Sequence, residues 1–162
     1  MNTIETNNMP KTAFVYGAIH LLANRMQILG DKIDPTISTK QWFVLATVSK
    51  FNETPPNIGD VAKLLGTSRQ NIKKMADTLE QRGYLRLEKD QNDLRSTKLF
   101  LTVSCYDYFK SREQKENEYI NNLFLDIDNE MLDTLCRSMN KLIENIDRMI
   151  DNDENSKKQE QK

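Results

Sequence analysis

Hydrophobic positions follow helical spacing over most of this chain. From Thr12 to about Leu29, apolar residues recur every three or four positions, which predicts a first helix with a broad apolar face. After the turn signal Asp34-Pro35, the stretch "STKQWFVLATVSKF" predicts a second helix with Ser38 or Thr39 as its N-cap. The chain therefore begins with two amphipathic helices.

The segment "IGDVAKLLGTSRQNIKKMADTLEQRGYL" predicts two more helices with a tight turn between them. Apolar spacing predicts the first from Ile58 to Leu65, and Gly66 can adopt the left-handed backbone that ends it. Thr67 and Gln70 form a T-x-x-Q capping box, which predicts that the next helix starts at once. Two helices joined by so short a turn must cross steeply, as in a helix-turn-helix.

The second of these helices has a polar, basic face opposite its apolar stripe. The stripe consists of Ile72, Met75, Ala76 and Leu79. The opposite face and its flanks near the N-terminus hold Arg69, Gln70, Asn71, Lys73 and Lys74. Such side chains match the donors and acceptors of base edges in the major groove of DNA. Taken alone, the same face could be an ordinary solvated surface.

Alternation of apolar and polar residues then predicts a β-hairpin. Tyr84 to Glu88 ("YLRLE") and Thr97 to Val103 ("TKLFLTV") alternate, with the polar stretch "KDQNDLRS" between them. The hairpin carries the basic residues Lys89, Arg95 and Lys98. A basic hairpin in this position can act as a wing that contacts the minor groove while the preceding helix lies in the major groove.

The remaining chain predicts two long helices, one from about Val103 to Leu125 and one that begins near an Asp128 cap. The last helix has a near-heptad apolar stripe that is longer than a small winged lobe can cover. We expect this stripe to pack against the first helix and against a second copy of the chain. The predicted dimer contacts are Leu135, Met139, Leu142, Ile146 and Met149.

Length and charge are consistent with this interpretation. The 162 residues suffice for one compact domain but leave no room for a second, catalytic one. The net charge of -1 hides an uneven distribution: residues 58–103 carry nine basic and six acidic side chains, whereas residues 113–154 carry four and twelve. An anionic partner is therefore expected to meet the middle of the chain. Residues 1–10 and 151–162 lack apolar periodicity and are predicted to be unstructured tails.

Few residues are available for other chemistry. Cys105 and Cys136 match no metal spacing or C-x-x-C motif and are expected to be buried thiols. The only histidine, His20, lies on an apolar helix, where a structural or pocket-lining role is more common than catalysis. We expect no enzyme activity, cofactor or metal site. The longest uncharged apolar stretch, Thr12 to Asn24, is too short to cross a bilayer, and no convincing leader precedes it, which predicts a cytoplasmic protein.

With these motifs in place, the sequence resembles the MarR family of transcriptional regulators. The most specific match is "NDLRSTKLFLT", which fits the family wing signature D-x-R-S followed after the strand by L-T, and "QWFVL" resembles the second-helix motif. The resemblance covers essentially the chain from Thr12 to Ile150. It implies a mainly α fold with a small β-hairpin wing. The winged helix-turn-helix lobe would span residues 38–103, and residues 11–30 and 104–150 would form dimerisation helices.

The resemblance also implies a partner and the residues that contact it. It implies a homodimer that binds a palindromic operator in double-stranded DNA. Matched positions are Ser68, Arg69, Gln70, Asn71, Lys73 and Lys74 in the recognition helix and Lys89, Asp93, Arg95, Ser96 and Lys98 in the wing. Arg95 matches the arginine that enters the minor groove and Asp93 the acid that orients it, while an ordinary hairpin-tip ion pair is the alternative. A small aromatic or phenolic effector would bind near the junction of lobe and dimerisation helices, with His20 and Trp42 as candidate contacts.

Three functions follow from these observations. The first is a homodimeric repressor that a small-molecule effector releases from DNA. The second is a winged-helix module that binds another protein and is insensitive to DNA sequence. The third is a thiol-based redox-sensing regulator acting through Cys105 or Cys136, which is disfavoured because the redox-sensing branch of the family carries its cysteine in the first helix, where this chain has none.

Overall fold

A computed structural model describes residues 9–51 and 54–160 of the chain. These residues form six helices and one two-stranded hairpin, so the predicted mainly α fold with a small β-hairpin is confirmed. In chain order the elements are α1 Lys11–Ile33, α2 Thr39–Val48, α3 Ile58–Leu64, α4 Arg69–Gln81, β1 Leu85–Lys89, β2 Thr97–Leu101, α5 Val103–Leu123 and α6 Asn129–Glu160. The chain divides into two compact units between Lys115 and Glu116, within α5.

The hydrophobic core lies in the first unit, where α2, α3, α4, the hairpin and the start of α5 meet. Its buried side chains are Ile37, Val44, Leu45, Val48, Val61, Ala62, Ile72, Ala76, Leu79, Leu85, Leu99 and Cys105. The stripe predicted on α4 is confirmed, because Ile72, Ala76 and Leu79 are buried and Met75 is partly buried against the core. Full burial of one such leucine or isoleucine contributes about 1.5–3 kcal/mol, so this stripe anchors α4 and leaves its polar face outward.

Reciprocal capping boxes define where α2 and α3 begin. The Ser38 hydroxyl accepts the Gln41 N–H at 3.3 Å, and the Gln41 side chain accepts the Ser38 N–H at 2.9 Å. Asn57 and Asp60 make the same pair of contacts at the start of α3, at 3.0 and 2.9 Å. Each box satisfies backbone donors that a helix start leaves without partners.

Helix α1 has no buried residue and is joined to α2 by polar contacts. The Thr39 N–H donates to Asp31 Oδ1 at 2.6 Å, and the Thr39 hydroxyl donates to the Gln27 carbonyl at 3.3 Å. Gly30 leaves space for this contact, because a Cβ at that position would lie 2.4 Å from Thr39 Oγ1. The α1–α2 crossing therefore depends on a residue without a side chain.

The start of α4 differs from the predicted capping box. Ser68, not Thr67, is the N-cap, and its hydroxyl accepts the Asn71 N–H at 3.1 Å. The Thr67 N–H donates to the Ala62 carbonyl at 3.0 Å, so Thr67 belongs to the turn that ends α3. Gly66 has the positive φ of 60° that this turn requires, which moves the cap one residue along the chain.

The two strands pair antiparallel, with Leu85 opposite Leu101 and Lys89 opposite Thr97. The second strand ends at Leu101, two residues earlier than predicted. The Thr102 hydroxyl donates to the Gly83 carbonyl at 2.6 Å and accepts the Cys105 N–H at 3.2 Å, so it starts α5. Val103 consequently lies on the first turn of α5 and is exposed, so its predicted place in the second strand is wrong.

The second unit consists of the end of α5 and α6. Asp128 caps α6 as predicted, since its carboxylate accepts the Met131 N–H at 2.8 Å. The predicted unstructured tail is wrong for residues 151–160, because α6 continues to Glu160. That segment contains no Gly or Pro, and Lys157 pairs with Asp153 one turn earlier at 2.5 Å, which favours helix propagation. Residues 1–8, 161 and 162 of the predicted tails lie outside the described residues.

Candidate nucleic-acid interface

An open groove of about 660 Å³ lies between the start of α4 and the hairpin. Three segments that are distant in sequence build it: the start of α3, the first turns of α4 and the far end of the hairpin. The lining residues are Asn57, Ile58, Gly59, Arg69, Gln70, Lys73, Lys89, Asp93, Arg95, Ser96 and Thr97. The packing of the lobe therefore brings a helix and a hairpin that were predicted separately to one surface.

Most residues predicted to contact DNA line this groove. Those that do are Arg69, Gln70, Lys73, Lys89, Asp93, Arg95 and Ser96. Those that do not are Ser68, Asn71, Lys74 and Lys98. Lys74 is exposed elsewhere on α4, whereas Ser68 and Asn71 take part in the start of that helix.

On α4, the cationic residues of the groove differ in their partners. Lys73 pairs with Asp77 one turn later, and both side chains are about half exposed. Part of the Lys73 charge is therefore compensated before any anion arrives. The Asn71 amide donates to the Thr67 hydroxyl at 3.2 Å, so this side chain also has an internal partner. Arg69 forms no ion pair with any residue in the described part of the chain.

At the hairpin tip, Asp93 shapes the turn that carries Arg95. The Ser96 N–H donates to the Asp93 carbonyl at 2.8 Å, and the Asp93 carboxylate accepts the Arg95 N–H at 3.0 Å. Across residues 9–51 and 54–160, no ion pair joins the Asp93 and Arg95 side chains, so the alternative of a hairpin-tip ion pair is not observed. The carboxylate acts on the Arg95 backbone and leaves its guanidinium free to meet a ligand.

Lys98 contributes to the hairpin itself. Its ammonium lies 3.1 Å from Asp90 Oδ2, and both side chains are largely covered. The hydrogen bond from the Asn92 N–H lowers the pKa of Asp90 most, and the hydrogen bond from Lys98 lowers it further. This carboxylate therefore stays ionised at neutral pH. Lys98 is therefore engaged in a structural pair.

Several residues of this surface were not predicted from sequence. Asn57, Gly59 and Thr97 line the groove, and the exposed Leu94 lies between Asp93 and Arg95 in the tip turn. The helix-turn-helix pattern carried a usable signal for the first two, because a steep crossing brings the start of α3 next to the start of α4. No periodicity marks Leu94, which is the apolar exception in a polar turn.

The candidate effector contacts lie in different surroundings. His20 is exposed on α1, and its ring centre is 4.8 Å from that of Tyr16. Trp42 is half-buried on α2, its ring centre lies 5.7 Å from the Arg112 guanidinium, and its buried indole N–H has no hydrogen-bond partner in the described part of the chain. Among the described residues, no hydrogen bond or ring contact joins His20 to Trp42.

The two cysteines differ in environment. Cys105 is fully buried in the core, and burial raises the pKa of its thiol to about 11. Cys136 is exposed on α6. The expectation of two buried thiols therefore holds for Cys105 and is wrong for Cys136. Within the described ranges, no group of three or more His, Cys, Asp or Glu side chains is arranged to bind a metal, and none of the helices in those ranges is long and apolar enough to cross a membrane.

Together, α3, α4 and the basic hairpin define a winged helix-turn-helix protein. The model of the MarR family matches residues 34–96, which span these elements. This match, together with the sequence relative described next, supports a MarR-family winged-helix regulator. Its homologues in that family are transcriptional regulators and not enzymes.

Known relatives extend the similarity beyond the matched lobe. The chain is 25% identical to the Escherichia coli K12 transcriptional repressor MprA over 130 residues, covering 80% of this chain and 72% of MprA. Its fold is similar to the S. aureus MepR–DNA complex, with TM-score 0.71, 17% identity, and 80% and 95% of the two chains covered. It is also similar to Bordetella bronchiseptica BpsR, whose DNA binding is regulated by 6-hydroxynicotinic acid, with TM-score 0.70, 13% identity, and 87% and 97% covered.

Proposed function

We propose that this regulator is a repressor that binds a palindromic operator in double-stranded DNA as a homodimer and is released by a small effector. The observation that carries the proposal is the groove between α4 and the hairpin. Its lining includes four cationic side chains, Arg69, Lys73, Lys89 and Arg95, and a single carboxylate, that of Asp93. A surface of this charge suits the phosphate backbone, although the chain as a whole is slightly acidic.

In the proposed complex, α4 is the recognition helix and lies in the major groove. Gln70, Asn71 and Lys74 offer amide and ammonium groups to base edges, and Ser68, Arg69 and Lys73 lie at the same end of the helix. The hairpin is the wing, and Arg95 enters the adjacent minor groove with Lys89, Ser96 and Lys98 nearby. The similarity to the MepR–DNA complex supports this assignment.

The proposed dimer uses residues 11–30 and 104–150, and residues 38–103 form the DNA-binding lobe. The stripe on α6 supports this division, because Leu135, Ile146 and Met149 remain exposed in the single chain while Met139 and Leu142 are partly covered. So many exposed apolar side chains on one helix face favour association with another apolar surface. A dimer would present its two recognition helices to major grooves about 34 Å apart.

Release by an effector would follow from the spacing of those helices. A ligand that binds better to a dimer with unsuitable spacing weakens operator binding, and the operator weakens ligand binding by the same factor. We expect a small aromatic or phenolic molecule, with His20 and Trp42 as candidate contacts. The regulation of BpsR by 6-hydroxynicotinic acid, a small aromatic molecule, supports this class of effector. A protein of this function would work in the cytoplasm.

Selection of bound duplexes from a random DNA pool tests the proposal, followed by the salt dependence of binding to the selected duplex. The expected result is a palindrome with half-sites one helical turn apart and a steep loss of affinity with salt. Sedimentation of the complex should give two chains per duplex. If no sequence is enriched, the operator assignment is wrong and a winged-helix module that binds protein becomes the better hypothesis.

A further inference from the structure

Gly59 lies in the first turn of α3, where nothing in its own backbone requires glycine. It follows the N-cap Asn57 and Ile58, and its φ lies outside the left-handed range. Glycine lowers helix stability relative to alanine at such positions. Glycine at this position is better explained by a neighbouring side chain that needs the space than by the backbone conformation.

Two side chains lie against this position: that of the N-cap Asn57 and that of Arg69, the first residue of α4. A Cβ added to Gly59 would lie 3.0 Å from Asn57 Oδ1, 3.2 Å from Arg69 Nε and 3.3 Å from Nη2, all closer than an ordinary van der Waals contact. The guanidinium thus occupies the space beside Gly59, and a methyl group there would require the Arg69 side chain to shift by a few tenths of an ångström. Both residues line the groove between α4 and the wing.

The contact orders Arg69 without neutralising it. In the described part of the chain, the guanidinium forms no ion pair, so its donors are not committed to a carboxylate. The nearest acid along α3, Asp60, accepts the Asn57 N–H at 2.9 Å as part of the capping box. A planar cation whose side-chain freedom is already reduced binds an anion at lower entropic cost.

We propose that Gly59 is a positioning residue for DNA binding, whose missing side chain lets Arg69 lie across the start of α3 and contact a backbone phosphate. This inference rests on the proposed function and assigns one contact within it. Phosphate is favoured over a base edge because the first helix of a helix-turn-helix crosses the DNA backbone, and Arg69 lies against that helix. The contact would set how far α4 enters the major groove.

A double-mutant cycle on the selected operator tests this role with G59A, R69A and the double variant. We expect G59A and R69A each to weaken binding about tenfold, the size of one charge-assisted hydrogen bond. In the R69A background, G59A should cause no further loss. Each variant should also lower the slope of log affinity against log salt by about 0.9, as expected when one phosphate contact is lost.

Thermal unfolding of each variant checks that the fold is intact, and R82A provides a charge control at the other end of α4, outside the groove. Arg82→Ala should leave the affinity and salt slope nearly unchanged. Additive losses in the double variant, or an unchanged salt slope for G59A, would overturn the inference while wild-type operator binding remains. A wild-type protein that selects no DNA sequence would overturn the proposed function as well.

Discussion

The Tyr108 hydroxyl donates a hydrogen bond to Asp34 Oδ2 at 2.7 Å and thereby joins the first half of α5 to the linker between α1 and α2. Arg112, one turn later on α5, donates to the same tyrosine oxygen, and its guanidinium lies 3.6 Å from Asp34. The Asp34 and Arg112 side chains are both largely buried. This network connects α5 to the linker between α1 and α2 through polar contacts at the edge of the core.

Replacement of Tyr108 by phenylalanine should destabilise the protein by about 1–2 kcal/mol. The variant keeps the ring packing against Tyr84 but removes a donor from a partly buried carboxylate. Urea unfolding at fixed protein concentration measures the loss. Tyr106→Phe is the matched control, because Tyr106 is exposed on the same helix and should change stability little. Equal effects of the two substitutions would contradict the role of the hydrogen bond.

The same network predicts a dependence of stability on pH. Burial alone would raise the pKa of Asp34, but hydrogen bonds from Thr36 and Tyr108 and the charge of Arg112 outweigh it and lower the pKa below its usual value of 3.8. A carboxyl whose pKa is lower in the folded state stabilises the fold above its unfolded pKa, and this contribution is lost as pH falls through the folded pKa.

Unfolding midpoints in urea between pH 7 and pH 3 measure this effect. Wild type should lose stability across the lower part of that range, and Asp34→Asn should be less stable at pH 7 but lose less on acidification. Thr36→Val is a useful second variant, because it removes one hydrogen bond to Asp34 and keeps the charge. Parallel acid profiles for wild type and Asp34→Asn would show that Asp34 does not contribute.

Gly30→Ala should destabilise the junction of α1 and α2 by about 1–3 kcal/mol, the usual cost of overpacking. The added Cβ would lie 2.4 Å from Thr39 Oγ1, so the Thr39 contacts with Asp31 and Gln27 would have to change. Gly17→Ala, on the same helix, provides the comparison, because a Cβ there meets nothing within 4 Å of the chain. The thermal unfolding temperature should fall for Gly30→Ala and should stay unchanged or rise for Gly17→Ala.

Periodicity predicted the elements of this fold because burial imposes it directly. The stripe of α4 and the alternation around Leu99 mark residues that the core covers completely, such as Ile72 and Leu99, or in part, such as Met75 and Leu101. Element ends were harder to predict, since they depend on competition between neighbouring caps. Ser68 replaced Thr67 as the N-cap of α4 because the Gly66 turn already used Thr67.

The groove could be predicted only in part for a similar reason. Its basic residues on α4 and in the hairpin stand out by type and position, but the contribution of α3 depends on how two helices cross. Gly59 has no side chain to suggest a function, and its contact with Arg69 exists only in three dimensions. The sequence also did not predict which charged residues pair, as the Lys98–Asp90 and Lys73–Asp77 ion pairs illustrate.

Differences in their ion-pair partners predict that the two wing cations Arg95 and Lys98 contribute unequally to DNA binding. Arg95 lies in the tip turn with its guanidinium uncommitted, so Arg95→Ala should weaken operator binding by about 1–3 kcal/mol without unfolding the protein. Lys98→Ala should reduce affinity less, because Lys98 already pairs with Asp90. Titration of a labelled operator at several salt concentrations compares the variants. Normal operator affinity for Arg95→Ala would exclude the proposed wing contact.

The burial of Cys105 in the core bears directly on the thiol-sensing alternative. Cys105 is fully buried, and desolvation raises the pKa of its thiol to about 11, so very little thiolate forms at pH 8. Alkylation with iodoacetamide, followed by mass spectrometry of peptides, should therefore leave Cys105 unmodified in the native protein and modify it after denaturation. Because only the thiolate reacts with peroxide at a useful rate, peroxide should not change operator affinity through Cys105, and the Cys105→Ser, Cys136→Ser double variant tests the exposed Cys136 as well. Rapid labelling of native Cys105, or a peroxide response that the double variant lacks, would instead establish a redox role.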